Sequence, residues 1–392
     1  MTSAGMAQVR ERWRIGVHAR ALVILTAVLI AFGLAVLYSA SAYVAVTDGR
    51  PGTYYLVRQL SGLLVGIVVF MIAAKVDAER WRKWAWPIMG ITLLLMLVIV
   101  LPFTTSFAPR IHGSRRFLFG ASLQPSELGK FAVVIWTAML AVKKGEQLRR
   151  LTKGLLPFVV VIGTLALLAW LEPDLSVVVM YGFLTSVVLF AAGARVGHFL
   201  FLGTTAILVL WNSVENLQYA VLRMTTFFDP GTAPGQDEWQ LFQSLVAVGS
   251  GGVLGRGFGE GRQQLGFVPF GYNDFIASTV GEEFGFVGIT LLVLLFAAFA
   301  ALGFAIARQA RSPFLKLVAV GLTATTVVTA YLHIAVAIGL LPTTGLTLPF
   351  VSFGRSNLVL SLFLTGVLVN IGSARERVYG VGATDPTVRR PA

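Results

Sequence analysis

The chain has 392 residues, 56% of them hydrophobic and only 12% charged, with a formal net charge of +13. A soluble domain of this length could not hide so much apolar surface behind a polar exterior, so composition excludes an ordinary water-soluble enzyme. Cysteine is absent, which removes disulfides, thiol catalysis and cysteine metal sites, and the four histidines (His18, His112, His198, His333) lack ligand spacing.

Mean hydropathy is +0.79, and the expected fold class is an all-α polytopic membrane protein. A basic segment with Arg10, Arg12, Arg14 and Arg20 leads into the first apolar run, from Ala21 to Val46. "SASA" near its end looks like a signal-peptidase site, but the run is long for a cleaved segment and reads as an uncleaved span. Further apolar runs lie near 56–75, 84–102, 123–142, 154–171, 174–192, 197–212, 276–306, 315–341 and 349–372. Each approaches the length that a bilayer core of ~30 Å requires, giving about ten transmembrane helices.

Positive charge sets the sides. With the N-terminus inside, the inner connections hold Arg80, Arg82 and Lys83, then Lys143, Lys144, Arg149, Arg150 and Lys153, then Arg195, then Arg308, Arg311 and Lys316. The tail adds Arg375 and Arg377. Both termini are therefore expected in the cytoplasm. The net charge reads as membrane anchoring and contact with anionic lipid, with no call for nucleic acid. The expected organisation is a cytoplasmic segment (1–19), a transmembrane domain (20–374) and a cytoplasmic tail (375–392) expected to be disordered. The large extracytoplasmic loop, 213–275, lies between spans 7 and 8.

On that map some cations fall on the wrong side of the charge rule. Arg110, Arg115 and Arg116 crowd "PRIHGSRRF" at 109–117, Arg256 and Arg262 lie in the large loop, and Arg355 opens the tenth span. The large loop contains "LFQSLVAVGSGGVLGRGFGEGRQQLGFVPFGYNDF". Its amphipathic start is expected to lie half-buried in the interface. Its glycines do not have nucleotide-binding spacing and read as a flexible or close-packed loop.

Ionisable residues at membrane depth need partners or a water-lined cavity. Glu127 and Lys130, spaced i, i+3, share a helix face and form either a structural ion pair or part of a polar groove. Asp174, next to Pro173 and Glu172, either caps the sixth span or joins a site. Asp274 and Glu282, eight residues apart at the start of the eighth span, would face one pocket if that helix begins early enough. Asp274 could equally be a plain helix N-terminal carboxylate. The stretch "LLPTTGLTLPFVSFGRSN" breaks the join of spans nine and ten, which fits backbone lining a cavity, with Ser352 and Arg355 near it. Arginines suit a diphosphate and a carboxylate suits a general base, so the residues alone point to an anionic lipid bound or processed at the outer leaflet.

At these motifs the chain resembles the FtsW/RodA (SEDS) family. The matching stretches are "LYSASA" (37–42), "HGSRRFLFGASLQPSELGK" (112–130), "EPDLS" (172–176), "GSGGVLGRGFGEGRQQLGFVP" (249–269), "NDFIASTVGEEFGFVG" (273–288) and "LLPTTGLTLPFVSFG" (340–354). The resemblance implies a multi-pass protein of the bacterial cytoplasmic (inner) membrane that polymerises lipid II into glycan strands at the outer face. It implies Asp274 as catalytic base for the acceptor 4-hydroxyl, with inversion and release of undecaprenyl diphosphate. Arg115 and Arg116 would hold the diphosphate, with Arg262 and Arg355 as further binding candidates. Glu127, Lys130, Asp174, Glu282 and Ser352 would line or support the cavity. No organic cofactor is implied; a divalent cation, Mg or Mn, would share the diphosphate charge, with ligands the sequence does not define. Implied partners are lipid II, the nascent strand, a class B penicillin-binding protein, other division proteins and membrane lipid. The chain departs from the family in reading Gly354-Arg355-Ser356-Asn357 where glycines and serines are usual, and Tyr272-Asn273-Asp274 where "HTD" is frequent. Thr343, Thr347 and "GRQQL" lean toward the division branch, whereas Thr344 stands where that branch often has lysine. Rival readings are a lipid II flippase and a scaffold that docks the transpeptidase.

Overall fold

The computed structural model describes residues 10–101, 118, 124–172, 174–199, 203–204, 227, 236–262, 265–268 and 271–378. Arg110, His112, Arg115, Arg116, Pro173, most of the seventh run and the tail beyond 378 lie outside the described residues.

The helices in chain order are α1 (Val17–Thr47), α2 (Tyr54–Lys75), α3 (Trp81–Val100), α4 (Pro125–Lys144), α5 (Leu156–Leu171) and α6 (Leu175–Ala191). They continue with α7 (Gln236–Gly251), α8 (Ile276–Arg308), α9 (Pro313–Ala337) and α10 (Arg355–Ile371). Among the described residues seven helices are long and apolar enough to cross a membrane, and Leu175–Ala191 and Arg355–Ile371 are shorter apolar helices. Apart from the seventh, most of which lies outside the described residues, the apolar runs read from the sequence become helices with ends shifted by a few residues. The main shift is at the tenth, which begins at Arg355 because 341–354 is not helical.

Two helices are interior. In α4 and α9, 83% and 78% of the most apolar stretch is buried, against 22–39% in the other long helices, whose remaining apolar surface suits lipid. The enclosed pair carries the polar groups that lipid would penalise. α9 holds Thr323, Thr325, Thr326, Thr329 and His333, all buried. Its threonine hydroxyls donate to carbonyls one turn back at 2.7–3.3 Å, so they add no unsatisfied donors.

One end of the bundle gathers the connections assigned to the inside. The Gly16 N–H donates to Gly372 O at 3.1 Å, and Asn370 accepts from Ala78 N (2.8 Å) and donates to Ala74 O (2.7 Å). Ser312 donates to Glu79 at 2.9 Å, and Arg311 pairs with Asp77. Beyond α10 the described chain continues as a strand. Residues Ser373–Val378 (β2) pair antiparallel with Arg10–Ile15 (β1), with Glu11 opposite Arg377 and Arg12 opposite Glu376. This is a pairing of distant segments that no local pattern announces.

α2 and α10 run side by side in the same direction. Gly62 sits against Arg355, Gly66 against Leu362, and Gly366 against Phe70 O, so a side chain at any of these glycines would strike the partner helix. Small residues allow this approach where no hydrophobic force drives helices together in lipid. α8 is two helical pieces joined at Gly285, whose φ of 64° and ψ of −157° break the helix. The freed backbone groups are taken by the glycine-rich loop: Arg256 N and Gly257 N donate to Glu282 O and Glu283 O, and Phe286 N and Val287 N donate to Gly252 O and Val253 O, at 2.9–3.1 Å. The loop is therefore close-packed, the second of its two sequence readings. α7 buries Leu241, Ser244 and Ala247 against protein, with Ser244 donating to Ala337 O at 2.7 Å. Its buried face is met by α9 and the start of α8.

Candidate functional site

The end opposite the β1–β2 pair gathers the charged motifs. Its organiser is the non-helical stretch 341–354, which descends beside α1: Phe350 O and the Val351 Cα pack against Gly33, near the middle of α1. Phe350 itself has φ of 68°, a conformation costly for a residue with a side chain and persistent only where surroundings enforce it.

Asp274 lies in the turn before α8 and is half-buried. The helix starts at Ile276, after Asp274, so Asp274 and Glu282 do not share a helical face. The turn is held by main-chain and hydroxyl contacts. Ser352, buried, accepts from Leu348 N (2.9 Å) and donates from its hydroxyl to Asn273 O (2.7 Å), while Phe353 N donates to Tyr272 O (3.0 Å). The Tyr272 hydroxyl donates to that of Tyr55 at 3.2 Å, and the two rings lie 4.5 Å apart with Phe353 5.2 Å from Tyr55. Burial, then the bond to Tyr55, pushes the Tyr272 phenol well above its ordinary value, so it stays protonated. Arg355 follows this strut on the first turn of α10, half-buried against Gly62. Asn357, the other departure from the family pattern, donates to Thr347 and accepts from Ser361 at 2.9 Å, which fixes the same broken stretch.

Glu282 and Glu283 are both 1% exposed and both bond to the glycine-rich loop. Glu282 accepts from Arg262 N at 2.8 Å and from Ser250 at 3.5 Å. Glu283 accepts from Ser39 in α1 and from the backbone of Gly259. The adjacent acids therefore clamp the glycine-rich loop against the break in α8, and Arg262, exposed, is held by its own backbone N–H.

The third group surrounds Tyr181 of α6. Its hydroxyl donates to Ser126 O at 2.9 Å, and the carboxylates of Glu172, Glu127 and Asp174 all act on it electrostatically. Lys130 binds Glu127 at 2.6 Å, as the i, i+3 spacing allows, with side-chain exposures of 3% and 12%. Asp174 accepts from Val177 N at 3.4 Å, the N-cap role read from the sequence, and Glu172 is buried. Ser176 donates to Thr344 O at 2.6 Å, tying this group to the broken stretch.

The structure thus brings Asp274, Ser352 and Arg355 into one contact chain, Arg262 and Glu282 into another, and Glu127, Lys130 and Asp174 into a third. Sequence reading gave no role to Gln59, Tyr55, Tyr272 or Ser39. It also passed over Arg50 and Arg58, which flank Tyr54 with guanidinium carbons 4.4 and 5.5 Å from the ring centroid. Arg58 also donates to the Tyr54 hydroxyl at 2.8 Å. The charge map could have found both, since Arg50 precedes the second span and Arg58 opens it on the same outer side. Among the described residues no group of three or more His, Cys, Asp or Glu is placed to hold a metal ion.

A bundle of apolar helices with broken, charge-bearing segments at one end defines a multi-pass membrane protein. The family pattern described as "Cell cycle protein" (FtsW/RodA/SpoVE) matches residues 20–377, and the chain belongs to this family, as the motifs indicate. A Trichlorobacter lovleyi protein named "Probable peptidoglycan glycosyltransferase FtsW" is 35% identical over 366 residues, covering 93% of this chain and 95% of that one. "Stage V sporulation protein E" of Bacillus subtilis is 35% identical over 353 residues, covering 89% and 95%. Among solved structures, one from "Structural coordination of polymerization and crosslinking by a peptidoglycan synthase complex" aligns with TM-score 0.75 at 27% identity, covering 90% of this chain and 97% of that one. The rod shape determining protein RodA of Thermus thermophilus aligns with TM-score 0.65 at 25% identity, covering 90% and 95%.

Proposed function

We propose that this chain is a peptidoglycan glycosyltransferase that polymerises lipid II at the outer face of the bacterial cytoplasmic membrane, in cell division. The observation that carries the mechanism is the support around Asp274: a half-buried carboxylate whose flanking peptides are fixed by Ser352 and Phe353. A base held this way can meet a sugar hydroxyl without first being ordered.

Asp274 takes the proton of the acceptor 4-hydroxyl. The freed oxygen attacks the anomeric carbon of the donor strand as its bond to the diphosphate breaks, with inversion. Undecaprenyl diphosphate leaves, its developing charge met by Arg115 and Arg116, with Arg262 and Arg355 in supporting positions. Glu127, Lys130 and Asp174 line the polar region on the other side of the broken stretch, while Glu282 and Ser352 support it. A divalent cation would share the diphosphate charge, but the described acidic side chains do not form a cage for one, so no step is assigned to it. The division role rests on the FtsW naming of relatives such as that of T. lovleyi. The partner is a class B penicillin-binding transpeptidase, a reading supported by the structural likeness to the peptidoglycan synthase complex.

The test is chain formation from lipid II by purified protein in proteoliposomes. Removal of a general base costs about 10²–10⁴-fold, so Asp274→Asn is expected to bind lipid II yet form no detectable glycan. Undiminished polymerisation by that variant refutes the assignment. The broken segments at 285 and 341–354 also suit a transporter. That reading gains if wild-type protein moves lipid II across the bilayer and never polymerises it.

A further inference from the structure

Gln59 is the one amide side chain of α2, sits in its second turn, and is 1% exposed. Both ends of the amide are used. Its Nε2 donates to Ser352 O at 3.0 Å, and its Oε1 accepts from Gly354 N at 3.1 Å. Between those two contacts Phe353 N turns the other way and donates to Tyr272 O at 3.0 Å. The Ser352 hydroxyl reaches Asn273 O at 2.7 Å. Residues 352–354 therefore form a strut with α2 on one side and the two peptides preceding Asp274 on the other.

The chemistry selects this residue type. The strut offers α2 one carbonyl and one N–H, and only a side chain carrying both a donor and an acceptor satisfies the two together. A carboxylate lacks the donor, and an aliphatic residue leaves both backbone groups buried without partners. Asparagine has the groups but is one methylene short. The tight seating of α2 on α10 through Gly62 and Gly66 fixes the height at which the amide meets the strut.

We propose that Gln59 is a positioning residue for glycan polymerisation: through Ser352 and Phe353 it sets the location of Asp274 relative to α2 and α10. This rests on the reading of Asp274 as the base, and the experiment separates the two. Wild type, Asp274→Asn, Gln59→Leu and Gln59→Glu are compared in proteoliposomes for kcat, KM for lipid II and thermal unfolding, each at several pH values. Displacement of a reacting group by about 1 Å from a remote change costs about a hundredfold. Gln59→Leu and Gln59→Glu are therefore expected to lose about a hundredfold in kcat near neutrality. KM should hold within about twofold, as for a group that acts in the transition state only.

The isosteric acid supplies the distinguishing readout. On acidification Gln59→Glu becomes a neutral carboxyl that can donate to Ser352 O and accept from Gly354 N, so its activity relative to wild type at the same pH should recover. Gln59→Leu should stay low throughout. A folded Gln59→Leu with wild-type kcat, beside an inactive Asp274→Asn, overturns the positioning role and leaves the base intact. Loss of activity that only tracks a lowered unfolding temperature, with no acid recovery in Gln59→Glu, overturns it as well. Activity in Asp274→Asn overturns the base, and the positioning role with it.

Discussion

Removing the lysine of the Glu127–Lys130 pair should damage the protein more than removing the glutamate. The charges sit 2.6 Å apart with side-chain exposures of 12% for Glu127 and 3% for Lys130. At an effective dielectric of 20 their gross attraction is about 6 kcal/mol. Much of that offsets desolvation, and breaking a buried pair by deleting one partner costs about 3–5 kcal/mol. Both residues lie on one turn of α4, so the pair does not join separate elements; its effect is local charge balance. The carboxylates of Glu172 and Asp174 act on the same Tyr181 hydroxyl as Glu127, so this polar region holds three acids, and Lys130 is bonded to one of them. Lys130→Met leaves those acids without it and should cost near the upper figure, about 5 kcal/mol, whereas Glu127→Gln should cost nearer 3 kcal/mol. The double variant should be less damaged than the sum of the two. Thermal unfolding in detergent, followed by tryptophan fluorescence and by recovery of monodisperse protein, ranks the four species. Additive losses, or a Glu127→Gln variant less stable than Lys130→Met, would refute the charge-balance argument.

Glu282→Gln weakens a charged acceptor for Arg262 N, worth about 1.5–3 kcal/mol locally; amide exchange in 252–262 should quicken while that of α9 stays unchanged. Gly66→Val forces a branched side chain into Leu362 and should cost about 1–3 kcal/mol by overpacking, read as a lowered unfolding temperature, whereas Gly90→Ala, with open space around it, should not. Tyr272→Phe loses the bond to Tyr55, about 1 kcal/mol. The folded-state phenol titrates above the unfolded one, so Tyr272 contributes stability that is whole below the unfolded value, about 10, and declines as pH rises through the folded value. The variant should therefore show a shallower alkaline loss of stability than wild type.

The helices were legible because apolar runs of spanning length admit little else in a bilayer. Local pairs were legible too: Lys130 meets Glu127 and Asp174 caps α6 by spacing alone. What escaped the sequence runs through the main chain. The bonds that seat Asp274 end on the carbonyls of Tyr272 and Asn273, atoms that every residue carries. Gln59 lies between Arg58 and Ser61 in "VRQLSGLLVG", where no period marks it. Glu282 would share a helical face with Asp274 only on a helix that begins early, and this one starts at Ile276. The break at Gly285 then gives both acids a different duty, receiving the N–H groups and hydroxyls of the loop and of Ser39.

That duty follows from the solvent. Backbone interrupted inside a bilayer must find internal partners for every freed N–H and carbonyl. Among the described residues two interruptions occur, at Gly285 and across 341–354, and each takes hydrogen bonds from other segments at the same end of the bundle. Asp274 lies between them, one residue beyond the peptide that Ser352 holds and two before the half-helix that ends at the kink. The bonds that make the breaks tolerable are therefore the bonds that locate the acid. Changes at Gln59, Ser352, Glu282 or Ser39 should then alter stability and turnover together when they empty a backbone contact, and turnover alone when they shift it. Stability and turnover measured side by side on each variant would tell the two apart.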